Sequence, residues 1–85
     1  MRLNERYIIF ECVKRGLSRE ETNRHLSNHD FEQVNDLDFL VWKDYLVPVS
    51  LGDPHIETAV IDHGATLSDI GRYLKKEFDN RGGVS

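Results

Sequence analysis

The chain has 85 residues, of which 39% are hydrophobic and 31% charged, and a formal net charge of −4. That length and balance describe one small globular domain, residues 1–85, rather than a disordered tract. No apolar run approaches the ~18 residues that span a bilayer, the N-terminus lacks the apolar segment of a secretory signal, and the single cysteine, Cys12, has no partner for an internal disulfide; the expected setting is the cytoplasm, away from membranes.

The charge is unevenly spread. Residues 1–24 carry six basic and four acidic groups, residues 25–63 carry eight acidic groups against Lys43 alone, and residues 64–85 carry four basic and three acidic groups. A duplex-binding protein needs a basic face to displace counterions from phosphates. The acidic middle argues against direct nucleic-acid binding. Either the basic ends fold back and pair with it, or it faces a cationic partner.

In chain order, a helix is expected over residues 3–16. Asn4 is its N-cap, Glu5 complements the dipole, Leu3 and Ile8 occupy the hydrophobic-staple positions, and Gly16 ends it. Ile8, Ile9, Cys12 and Val13, with Leu17 beyond and Phe10 alongside, supply its apolar face. Ser18 and Glu21 form a capping box that opens a second helix to about Ser27. Its apolar side is thin, Leu26 with Thr22 and the ring of His25. Asn28, His29 and Asp30 are expected to break it and cap the next.

The stretch from Asp30 to Val49 holds four of the eight aromatic residues, including the only Trp, and five of the fifteen carboxylates. A third helix is expected over Phe31–Tyr45, with Phe31, Val34, Leu37, Leu40 or Val41, and Tyr45 recurring at three and four. Phe39 and Trp42 do not fit that stripe. The helix is therefore buried on two sides or interrupted near Asp36, with a strand through Phe39–Trp42 as the competing reading.

Leu46–Leu51 and Ile56–Asp62 are two runs rich in β-branched residues around Gly52-Asp53-Pro54-His55, which reads as a β-hairpin with Pro48 on an edge strand. In that hairpin Ile56, Thr58 and Val60 share one face and Ala59 and Ile61 the other. Thr66 then caps a last helix with Asp69 at its third position. Leu67, Ile70, Leu74 and Phe78 share one side, Arg72, Lys75, Lys76, Glu77 and Asp79 form the wet side, and Gly82 and Gly83 end it. The expected fold is α+β and mostly helical: three N-terminal helices, a β-hairpin and a C-terminal helix.

Catalytic signatures are weak. His25 and His29 lie four apart, with Cys12, His55 and His63 elsewhere, but no tight ligand pair announces a zinc site. Cys12 sits on an apolar helical face, where a thiol behaves as a small hydrophobe. Asp36 and Asp38 lack the alternate acidic positions, central glycine and closing glutamate of a calcium loop, and no glycine-rich loop feeds a helix N-terminus. No cofactor, metal or catalytic residue is expected, and the chain reads as a non-enzyme.

The order helix, helix, helix, strand, strand, helix resembles the winged-helix arrangement, with Gly52–His55 as wing tip, Phe31–Tyr45 as recognition helix and residues 67–80 as a dimerisation helix. That resemblance implies an alternative function as a dimeric DNA-binding transcriptional regulator. It would need Arg2, Arg6, Arg15, Arg19, Arg24, Arg72, Lys75 and Lys76 on one face. The sequence departs from the pattern in its recognition helix, where Glu32, Asp36, Asp38 and Asp44 face Lys43 alone. Gly16-Leu17-Ser18-Arg19-Glu20-Glu21, Leu26, Asn28 and Phe31-Glu32 are also similar to the loop-helix-loop rhythm of ubiquitin-associated-type three-helix modules, over about a third of the chain.

The leading expectation is a small regulatory protein-interaction module presenting an acidic-aromatic surface made of Glu32, Asp36, Asp38, Phe39, Trp42, Asp44 and Tyr45. Aromatic side chains would anchor a partner, and carboxylates would orient the encounter. The expected partner is a protein with a basic surface, a class that includes nucleic-acid-binding proteins. The last helix or the Pro48 edge would serve a homodimer.

Overall fold

A computed structural model describes residues 4–82, which form five helices and no strand. These are α1 (Glu5–Lys14), α2 (Arg19–Asn28), α3 (residues 36–51), α4 (Pro54–His63) and α5 (Leu67–Gly82). The expected α+β fold is thus corrected to an all-helical one, and the hairpin and its wing are absent from the described residues. Leu3, Arg2 and Gly83 lie outside the described residues, and with them the staple and the final terminator.

Local signals set the first two helices. The Asn4 side chain accepts from the Tyr7 N–H at 2.8 Å, and its amide donates to the Ile61 carbonyl at 3.1 Å, so the α1 cap also ties α1 to the end of α4. Gly16, at φ +80°, closes α1; its N–H donates to the Val13 carbonyl and that of Leu17 to the Cys12 carbonyl. This is the doubly bonded terminus that the left-handed conformation permits. Ser18 and Glu21 cap α2 reciprocally.

The end of α2 corrects one expectation. Asp30 is not an N-cap. It ends α2 in the left-handed conformation at φ 61°, with the Asp30 and Phe31 N–H groups bonded to the Ser27 and Leu26 carbonyls. That conformation costs a non-glycine residue about 1 kcal/mol, partly offset in a glycine variant by the freer unfolded chain. Asp30→Gly is therefore expected to raise stability by about 0.5 kcal/mol, read as a higher urea midpoint at unchanged slope.

The segment 31–35 is irregular rather than helical, and α3 starts only after Asn35, whose side chain accepts from the Asp38 N–H at 2.8 Å. Asn23 of α2 holds this segment. Its side chain accepts from the Val34 N–H at 2.7 Å and donates to the Val34 carbonyl at 3.2 Å, all within the core. Within α3, Trp42–Leu46 form a wide π-type turn in which the Val47 N–H reaches back to the Trp42 carbonyl. The wide turn ends just before Pro48, which has no N–H for the ladder and would crowd the Asp44 carbonyl in a regular helix. It also sets Trp42, Leu46 and Val47 together on the buried side.

Residues 46–51 and 56–62 are helical because burial outweighs the few tenths of a kcal/mol by which β-branched residues disfavour helix. Asp53 accepts from the His55 N–H at 2.9 Å, Pro54 occupies the first helical position, and Gly64 ends α4 at φ 66°. Asp-Pro followed by a distant glycine is a helix start and stop, here read as a turn. Helical spacing sends Ile56, Val60 and Ile61 inward and Thr58 outward. Arg6 donates to the Ile61 carbonyl at 2.8 Å, adding a side-chain partner at that end of α4.

One buried cluster holds the helices together: Ile8, Ile9, Phe10 and Cys12 of α1, Leu26 of α2, Val34, then Trp42, Leu46 and Val47 of α3, and Ile56, Val60 and Ile61 of α4, with Ile70 of α5. Ile70 is the fully buried residue of α5 among those whose side chains are described. The molecule measures 51 × 23 × 19 Å. No helix among the described residues is long and apolar enough to cross a membrane.

Candidate interaction surface on the third helix

The first turn of α3 explains two of its carboxylates structurally. Asp36 and Asp38 lie at a helix N-terminus, where the dipole favours negative charge, and Asp36 pairs with Arg19 of α2. Asp38 is exposed and stands outside that pair. Asp44, in the middle of the helix, is exposed and has no ion-pair partner among the described residues. Helix geometry gives Asp44 no capping role, so its charge is free to act on a partner.

The seven residues expected to form the site fall on different sides of the chain. Tyr45 is 55% exposed, Phe39 is half-buried against the core, and Trp42 is buried at 8%. Glu32 lies on the preceding irregular segment, exposed. The structure therefore gathers Asp36, Asp38, Asp44 and Tyr45 on exposed parts of α3 and turns Trp42 into the core.

Two residues missed as surface are Leu37, 70% exposed, and Leu40, 50% exposed. Periodicity placed Leu37, and Leu40 or Val41, on the inner stripe of a helix beginning at Phe31; Val41 is the one packed against the core. The irregular 31–35 segment breaks the phase, so a helix that starts at Asp36 carries Leu37 and Leu40 outward. Leu37, Leu40, Tyr45 and Leu51 are exposed apolar side chains of α3, interspersed with the exposed Asp38 and Asp44.

A polar cleft of about 360 Å³ lies between α1, the 31–35 segment and α3. Glu5, Glu32 and Asp38 line it with Arg6, and Trp42 contributes to its wall. Arg6 donates to the carbonyls at the end of α4, and the three carboxylates outnumber it in the cleft.

Elsewhere the reactive side chains are placed for structure. Burial pushes the Cys12 thiol above its ordinary pKa, with a hydrogen bond to Thr22 acting against that rise. His25 and His29 are both exposed, and the His29 ring stacks on Phe31 with centroids 6.3 Å apart. No group of three or more potential metal ligands comes together among the described residues. Of the cations a DNA-binding reading would need, Arg6, Arg19 and Arg72 are held by protein groups: the Ile61 carbonyl, Asp36 and Asp69 respectively. No family model, curated protein or solved structure matches the chain.

Proposed function

We propose that this chain is a small non-enzymatic, regulatory protein-interaction module that uses the outer side of α3 to hold a partner with a basic, partly apolar surface. The observation that carries the reading is the exposure of three large apolar side chains, Leu37, Leu40 and Tyr45, together with Asp38 and Asp44, on a helix whose Trp42, Leu46 and Val47 are core. Apolar side chains supply the affinity on burial, and the bordering carboxylates steer a cationic partner and reject an acidic one.

The test is capture from host lysate on immobilised protein, comparing wild type with Asp38→Lys/Asp44→Lys. Both positions are exposed; a cation at the α3 N-terminus costs about 1 kcal/mol, so the variant is expected to stay folded and melt several degrees below wild type. The expected result is a partner retained by wild type, released by raised salt, and lost by the charge reversal. Equal retention by the reversed protein would refute the reading.

A further inference from the structure

The last helix is seated on the body through a short apolar contact. Of its stripe Leu67, Ile70, Leu74 and Phe78, only Ile70 is buried; Leu67 is 39%, Leu74 45% and Phe78 74% exposed. Ile70 and the half-buried Tyr73 meet Ile56, Ala59 and Ala65 around an apolar void of about 90 Å³. Helices in proteins are held mainly by packing an apolar face rather than by propensity. A void beneath the one buried side chain of the stripe forfeits part of that packing.

The junction between α4 and α5 is closed separately on each side. Gly64 ends α4 at φ 66°, and the Ala65 N–H donates to the Ala59 carbonyl at 2.9 Å, so the α4 terminus is satisfied within α4. The start of α5 is satisfied within α5. The Thr66 N–H donates to the Asp69 carboxylate at 2.9 Å, the Asp69 N–H donates to the Thr66 hydroxyl at 3.2 Å, and Asp69 pairs with Arg72 one turn on. Neither helix end needs the other to satisfy its backbone groups. A chain break in packing therefore falls at residues 64–66.

We propose that α5 is a strap that opens as a unit about residues 64–66 while α1–α4 stay folded. Opening lifts Ile70 from its seat and uncovers the apolar face of α4 at Ile56 and Ala59, a surface that is closed in the resting molecule. The inference is independent of the reading of α3 as a binding surface.

Native-state hydrogen exchange of the full chain, followed by NMR where closing outpaces exchange, tests it. The Leu74 and Lys75 amides of α5 are expected to exchange at least about tenfold faster than those of Phe10 and Leu26, through an opening with a weaker urea dependence because less surface is exposed. Ile70→Ala is expected to speed the α5 amides by about tenfold or more, since it empties the seat. Ile9→Val changes the side of α1 that faces the α3 cleft. It is expected to speed the Phe10 and Leu26 amides by about threefold or more and to leave Leu74 and Lys75 unchanged, because the body remains folded when α5 opens. Leu74 and Lys75 amides that share the rate and urea dependence of Phe10 and Leu26, or that follow them in Ile9→Val, would make α5 one cooperative unit with the body and overturn the inference. Leu74 and Lys75 amides that are unprotected in wild type, or indifferent to Ile70→Ala, would remove the seat and overturn it too.

Discussion

Trp42→Ala is expected to lower the unfolding free energy by about 3–5 kcal/mol, the range for removing a large aromatic side chain from a core. Trp42 is 8% exposed, sits in the wide turn of α3, and belongs to the buried cluster with Ile9 and Val34. Small domains are stable by about 5–15 kcal/mol in total, so the variant should retain only a small margin and melt many degrees lower. Trp42→Phe keeps an aromatic ring and most of the volume, and should lose clearly less. Chemical denaturation followed by circular dichroism measures both. A Trp42→Ala protein as stable as wild type would mean that the indole is not part of the core, and the division of α3 into a folding side and a binding side would fail.

Asn23→Ala is the second large effect, a loss of about 3 kcal/mol. The Asn23 amide satisfies both backbone groups of Val34 in a buried setting. Truncation leaves a buried donor and a buried acceptor without partners, each costing about 1–3 kcal/mol. The local consequence is as informative as the stability change. The 31–35 segment would lose its clasp to α2, and the start of α3, including the Asp36–Arg19 pair, would loosen with it. Hydrogen exchange should show the Val34 amide losing protection ahead of the α1 core amides. Equal protection of Val34 in wild type and variant would contradict the clasp.

Helix caps were the legible part of this sequence. Asn4, Ser18 with Glu21, Gly16, and Thr66 with Asp69 mark helix termini in the structure as their side-chain chemistry dictates. Hydrogen bonds from the Thr66 backbone and hydroxyl, together with Arg72, hold the Asp69 carboxyl below its ordinary pKa, as expected of a carboxylate at that position. What failed was the reading of β-branched runs as strands. Val47, Val49, Ile56, Val60 and Ile61 favour extended backbone only slightly, while Asp53-Pro54, weighed as turn residues, and Gly64 bracket a helix. Leu37 was misplaced because a three-four periodicity begun at Phe31 carries the wrong phase past Asn35, and of the alternatives Leu40 and Val41 it is Val41 that packs on the core. Asn23 was invisible, since its partner is backbone eleven residues away rather than a side chain with a spacing rule.

The candidate surface was half legible. The exposure of its carboxylates was expected from composition alone, because a dense run of acid must either face water or be paired. Which aromatics lay outside was not readable, since Phe39, Trp42 and Tyr45 are separated by three residues each and the wide turn decides between them.

The most direct test of the central claim, that α3 folds with one side and binds with the other, is a paired measurement on Leu37→Ser/Leu40→Ser/Tyr45→Ser: thermal stability and partner retention from lysate on the same preparation. The account predicts a melting temperature close to wild type, because all three positions are at least half exposed, together with loss of the retained partner. A variant that keeps its partner, or one that melts as early as Trp42→Ala, would contradict it.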